Sequence, residues 1–204
     1  MFSIPEEQRY EDPAALMADK GTLGIDFVDI ATQVDSHLDL VVAAAAQDLH
    51  VICQKPFAPC VADAEVMVAA CDNAGVELMV HENWRHQSTF KAVLKAIDDG
   101  SVGDPFFCQL SFRTPYNVYA NQPYLAEQPR FIIEDLGIHL LDCARAIMGE
   151  ATSVAARTQR VNPGIQGEDV VSVKSRTTGH PSSRGPSNLL TIGCWWGGSF
   201  ARPL

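Results

Sequence analysis

The chain has 204 residues, 47% hydrophobic and 20% charged, an ordinary composition for a globular protein with room for one or two small domains. Its formal net charge of −10, with no lysine or arginine cluster, argues against a nucleic-acid surface, because binding phosphates requires such clusters. No apolar run approaches the roughly 20 residues that span a bilayer, and the short run from Leu38 to Ala46 has no charged leader. A cytoplasmic protein with neither nucleic acid nor membrane as partner is expected.

The cysteines, at 53, 60, 71, 108, 143 and 194, include no C-x-x-C pair. Neither a zinc site nor a dithiol redox motif is predicted, and most of the thiols fall inside apolar runs as small hydrophobes.

Along the chain, Asp12 and Pro13 start a capped helix over 12–20. Phe27 to Ala31 is a short β-branched run and a predicted buried strand. Asp35 and Ser36 can cap an alanine-rich helix ending near His50, and Val51 to Cys53 is a second strand broken by Lys55-Pro56. Val61 to Gly75 reads as a helix, Glu77 to Val80 as a strand, and Thr89 to Asp99 as a helix stopped by Gly100. This alternation predicts a parallel sheet covered by helices, with ligands beyond the carboxyl ends of the strands. Thr32-Gln33, Gln54-Lys55-Pro56 and Glu82-Asn83-Trp84-Arg85 occupy those ends.

From Pro105 the texture changes. Phe106 to Arg113 has strand character, a loop rich in Pro, Tyr and Asn runs to Arg130, and Leu136 to Met148 forms a helix closed by Gly149. Ala151 to Val161 and Asp169 to Lys174 are predicted strands. Strands around a lone helix predict a second, α+β domain with a mostly antiparallel sheet and a linker near residues 100–105. The expected organisation is a partial parallel-sheet α/β domain over 1–103, a partial α+β domain over 104–174 and an irregular tail over 175–204.

Neither end reads as an end. No G-x-G-x-x-G is present, and no first β-α-β unit of about 30 residues precedes the first strand. All acidic residues lie before Ser175, so the remainder is predicted to be a flexible Ser/Gly/Pro tail or an out-of-frame ending.

Two groups of residues can carry chemistry. Lys55, at a strand exit and followed by proline, could donate to a substrate hydroxyl or to a nicotinamide, or simply be a turn lysine. On an α-helix Asp135 and His139 would share a face at i, i+4. They could form a proton-transfer pair for oxidising a secondary alcohol, or act as a helix cap and a half-buried histidine. No metal site is expected, since no further ligand falls in a recognisable spacing.

Together these motifs resemble the glucose–fructose oxidoreductase/inositol dehydrogenase (Gfo/Idh/MocA) family, over about residues 8–174. The resemblance is carried by Val28-Asp29-Ile30-Ala31-Thr32 with His37, by Gln54-Lys55-Pro56 where the family has Glu-Lys-Pro, by Asn83-x-Arg85, and by Asp135-x-Gly137-x-His139-x-x-Asp142. It implies an α/β fold, a Rossmann domain followed by an α+β domain. It also implies hydride transfer between NAD or NADP and a secondary hydroxyl of a sugar, inositol or polyol, and homo-oligomers of the full-length parent. By resemblance Lys55 would polarise the hydroxyl, His139 would be the acid/base, and Asp135 would orient substrate or His139. Thr32, Gln33, His37, Gln54, Lys55 and Asn83 would line the nicotinamide side. Gln33 stands where proline is common, and the glycine fingerprint is missing, so weak cofactor binding or a non-catalytic remnant is the alternative expectation.

Overall fold

The computed structural model describes residues 4–179 and 188–196. The chain divides into two compact units, Met1–His81 and Glu82–Leu204.

The first unit is a parallel sheet in the order β1-β2-β3, with β1 at Phe27–Ile30, β2 at His50–Cys53 and β3 at Leu78–Val80. Parallel pairing requires crossover connections, supplied by α3 (His37–Ala45) and α4 (Val61–Ala74). Ahead of them lie α1 (Pro13–Ala18) and the single turn α2 (Lys20–Leu23). The expected cap of α1 is present: the Asp12 carboxylate accepts the Ala14 N–H at 3.0 Å, and Pro13 occupies the first helical position. The central strand β2 buries Val51 and Cys53 against Val41, Ala44 and Ala45 of α3 and Met67 and Cys71 of α4. Gly75, with φ 69°, ends α4 in the left-handed region that a side chain disfavours.

Helix α3 stops earlier than the sequence suggests. Asp48 takes φ 53°, and the Leu49 N–H returns to the Ala44 carbonyl, which turns the chain so that Leu49 is buried ahead of β2.

In the second unit a mixed sheet runs in the order β4-β7-β6-β5. Its strands are β4 (Phe107–Thr114), β5 (Ala151–Gln159), β6 (Val170–Thr177) and β7 (Asn188–Trp196). β4 and β7 are parallel, while β7–β6 and β6–β5 are antiparallel. α5 (Ser88–Asp98) and α6 (Ile138–Met148) belong to this unit, with Ile147 and Met148 of α6 in one core with Val171, Val173, Leu190 and Ile192. No helix among the described residues is long and apolar enough to cross a membrane.

Two expectations are corrected. The boundary falls between His81 and Glu82, not near 100–105, because Ile97 of α5 is buried in the second core with Phe90 and Leu94 packed against it. The tail expected to be irregular from Ser175 contains strand: β6 continues to Thr177, and β7 pairs with both β4 and β6. Small hydroxyl residues conceal the pattern. Ser175 and Thr177 take inward positions, with the Ser175 hydroxyl donating to the Ser153 carbonyl at 2.9 Å. In β7 the inward positions are Leu190, Ile192 and Cys194. The rest of that tail, 180–187 and 197–204, lies outside the described residues.

The loop between β5 and β6 braces the segment leading into α6. The Asp169 carboxylate accepts the Val161 and Asn162 N–H groups at 2.7 and 2.9 Å, closing the loop. Glu168 accepts from Phe131 and Ile133 N–H through its side chain and from Ile132 N–H through its carbonyl. Between these anchors, Gly167 is packed so closely that a Cβ there would lie 2.6 Å from the Gln128 carbonyl oxygen and 3.0 Å from the Phe131 nitrogen. Both obstacles are backbone, so Gly167→Ala should destabilise this unit by about 1–3 kcal/mol through overpacking. Chemical denaturation followed by intrinsic fluorescence would measure it, and an unchanged midpoint would show that the loop yields freely.

Candidate active site

In the first unit the chemistry-bearing residues sit where β1 and β2 end. Beyond β1 the Thr32 and Ser36 hydroxyls are 2.7 Å apart, and the Gln33 carbonyl accepts both the Ser36 N–H and the Ser36 hydroxyl. Ser36 therefore shapes this loop, where the sequence suggested a cap for α3. Beyond β2 the Gln54 N–H donates to the Ile30 carbonyl, and its side-chain oxygen accepts the Lys55 N–H at 2.9 Å. Lys55 is half-buried, and the Lys55–Pro56 peptide is cis.

His37 differs from its expected role. It is 1% exposed, with Nδ1 3.1 Å from the Phe57 carbonyl and Nε2 3.2 Å from the Thr32 carbonyl. A neutral imidazole can donate to only one of these two carbonyls, but the buried ring sits between the Thr32 loop and the Lys55–Phe57 loop and packs them together.

Thr32, Gln33, Gln54 and Lys55 thus supply hydroxyl, amide and ammonium groups at the carboxyl ends of adjacent parallel strands. This donor set fits the amide and hydroxyl groups at the nicotinamide end of a dinucleotide. Burial, then the nearby Asp29 charge, pushes the Cys53 thiol up to about 11, so this buried cysteine behaves as a small hydrophobe. Among the described residues no group of three His, Cys, Asp or Glu side chains could hold a metal ion.

The second unit holds a tighter constellation. Glu82 and the exposed Asn83 lead into a single 3-10 turn, Trp84–His86, and a π-helical turn, Ile133–Gly137, leads into α6. His139, on the first turn of α6, is 8% exposed. Its Nδ1 lies 2.6 Å from Glu82 Oε2, and its ring stacks on the Trp84 indole at 4.7 Å with planes 5° apart. Glu82 Oε1 accepts the Trp84 N–H at 3.0 Å, so one carboxylate holds both partners of the stack. Arg85 forms a two-pronged salt bridge with the Asp142 carboxylate and also donates to the Asp142 carbonyl at 3.1 Å. That pairing raises the Arg85 pKa further above its ordinary value.

Asp135 lies within the π turn, where the Ile138 N–H reaches back to the Ile133 carbonyl. A π turn widens the spiral, so an α-helical i, i+4 reckoning does not carry from Asp135 to His139. The carboxylate on His139 Nδ1 is Glu82, which spacing alone could not reveal because 57 residues separate the two. Tyrosines of the preceding loop face acidic groups. Burial, then Asp169 and Asp135, pushes the Tyr119 phenol up to about 12, and burial and Asp135 also raise that of Tyr124.

Residues 2–82 match the family described as "Oxidoreductase family, NAD-binding Rossmann fold", and residues 90–182 match the "GFO/IDH/MocA C-terminal domain". A D-apiose dehydrogenase of Rhizobium rhizogenes is 54% identical over 167 residues, 82% of this chain and 48% of that protein. A myo-inositol 2-dehydrogenase of Thermotoga maritima is 32% identical over 146 residues, 71% of this chain and 41% of that protein. A crystal structure of an Agrobacterium radiobacter oxidoreductase in complex with NAD+, L-tartaric acid and magnesium superposes with a TM-score of 0.86. It has 47% identity and covers 96% of this chain and 54% of that one. The chain spans about half the length of the curated relatives it matches. Two adjoining matches to the halves of one family, with the Lys55 and His139 motifs in order, make this chain a member of the Gfo/Idh/MocA family of NAD-binding Rossmann oxidoreductases.

Proposed function

We propose that the protein carrying this chain oxidises a secondary hydroxyl of a short sugar, D-apiose or an aldose close to it, with NAD as the hydride acceptor. The observation that supports alcohol chemistry is the nearly buried His139–Glu82 pair, an imidazole backed by a carboxylate on the first turn of α6. Support for the substrate comes from the relatives. Two D-apiose dehydrogenases are 54% and 52% identical to this chain, against 32% for the inositol dehydrogenase of Thermotoga maritima. NAD is favoured by the Agrobacterium radiobacter complex, in which it is bound.

Thr32, Gln33, Gln54 and Lys55 would hold the nicotinamide end of the cofactor, Asn83 would contribute from the turn before Trp84, and His37 would keep the two strand-exit loops in place. When bound, the nicotinamide ring supplies an acceptor for the hydrogen and electron pair of the substrate C–H bond. The protein's part is orientation and proton transfer. Lys55 donates to the reacting oxygen and stabilises the negative charge that develops there. His139 takes the hydroxyl proton as the carbonyl forms, and the carboxylate behind it offsets the positive charge the ring acquires. Asp135, at the entrance to α6, would orient the sugar through its other hydroxyls.

Lys55→Ala and His139→Ala should each lower kcat by roughly 10²–10⁴, while NAD affinity changes much less because neither side chain grips phosphate. Steady-state kinetics with calorimetric titration of NAD would measure this, and a near-normal kcat for His139→Ala across about pH 6–9 would remove it from the acid/base role. On a panel of D-apiose, other aldoses and myo-inositol, offered with NAD and NADP, the highest kcat/KM is expected for D-apiose with NAD. A preference for myo-inositol would move the assignment to the cyclitols.

A further inference from the structure

Resting on the acid/base role of His139, we infer that Glu82 is a positioning residue that dictates which nitrogen of His139 works, with Trp84 fixing the plane of the ring. The geometry leaves little freedom. A carboxylate accepts hydrogen bonds and does not donate them, so Glu82 Oε2, 2.6 Å from Nδ1, requires the proton of the neutral imidazole to sit on Nδ1. The basic lone pair is then on Nε2. An imidazole free to choose would populate the other form as well, and a ring protonated on Nε2 cannot accept a proton there. The parallel Trp84 indole, 4.7 Å from the imidazole, resists rotation of the ring out of this orientation.

During oxidation the substrate O–H bond breaks as an N–H bond forms at Nε2, and the C–H electron pair leaves with its hydrogen to the nicotinamide. The ring becomes an imidazolium with both nitrogens protonated, and Nδ1–H still points at Glu82. Reduction runs the same transfers backwards, with Nε2–H as the donor.

Replacing Glu82 by its amide probes this hold directly. Its Oε1 accepts the Trp84 N–H at 3.0 Å, while Oε2 faces His139. A glutamine has one acceptor oxygen for these two positions. With that oxygen kept on the Trp84 N–H, the amide NH2 faces Nδ1 and forces it to accept, which moves the imidazole proton to Nε2. Glu82→Gln should therefore keep the shape of the turn and reverse the tautomer.

The test is long-range 15N–1H correlation of the imidazoles in the 204-residue chain, recorded above the ordinary histidine titration range, with His139 assigned by its disappearance in His139→Gln. The native chain should show His139 protonated on Nδ1, and Glu82→Gln should show it protonated on Nε2. Kinetics of Glu82→Gln in the enzyme should show kcat lowered roughly 10²–10⁴-fold, the scale of a wrongly protonated catalytic histidine, with KM for NAD within about threefold. A native His139 protonated on Nε2 overturns the inference, even if the variant does not fold. So does a Glu82→Gln protein whose His139 keeps its proton on Nδ1. A reversed tautomer with unchanged kcat upholds the hold of Glu82 on the ring and overturns instead the acid/base role of His139.

Discussion

Taking an imidazole out of water is costly unless its nitrogens find partners, since an unsatisfied buried polar group costs about 1–3 kcal/mol. His139 meets that demand at Nδ1 with Glu82, and the contact organises the surroundings. Because Glu82 opens the segment that continues through Trp84 and Arg85, satisfying His139 brings that short segment against α6. Trp84 then covers the ring, and Arg85 reaches Asp142 one turn further along the helix. The planar guanidinium suits this second contact, since it can grip a carboxylate with two parallel N–H groups while a third contact goes to backbone. Removing either carboxylate would strand the partner group it satisfies, so the segment and the helix stand or fall as one assembly.

Much of the fold was legible because its signals are local. Asp12-Pro13 at the start of a helix, Gly75 and Gly149 at the ends of others, and the β-branched runs of β1 and β2 each state their own conformation within a few residues. Errors arose where tertiary context decides. The amphipathic pattern of α5 gives no sign of which sheet it packs on, so the change of texture near 100–105 lies later in the chain than the boundary of the compact units. In β6 and β7 the alternation is carried partly by Ser175, Thr177 and Cys194, residues whose polarity or small size hides an inward position. The π turn before α6 and the brace made by Glu168 depend on a loop more than 30 residues downstream.

The site follows the same division. Motif order singles out Lys55 and His139 as candidates, and the i, i+4 spacing from Asp135 to His139 suggests a carboxylate on the same helix. The carboxylate on its Nδ1 belongs to Glu82, from a different part of the chain. In the sequence Glu82 stands out only as part of a polar strand exit. A signal was present in retrospect: a Glu-x-Trp sequence can place an acceptor and a flat apolar ring on the same side of a tight turn, a suitable seat for another planar group. For His37, a histidine near a cofactor motif suggests a place beside the ligand, and the structure adds a position buried between the Thr32 and Phe57 carbonyls.

Gln54 shows how a departure from the family motif can preserve geometry and change electrostatics. Its side-chain oxygen accepts the Lys55 N–H at 2.9 Å, a task that a glutamate oxygen could perform equally well. The turn that presents Lys55 therefore has no need of a carboxylate at position 54. What the amide withholds is a negative charge beside the ammonium. At an effective dielectric constant near 20, unit charges about 4 Å apart attract by roughly 4 kcal/mol, enough to divert a lysine from a neutral hydroxyl towards its neighbour. With Gln54 in place, that competing attraction does not come from the adjacent residue. In the proposed reaction, position 54 would then offer Lys55 no competing carboxylate as the substrate oxygen gains negative charge, which is where electrostatic stabilisation accelerates chemistry.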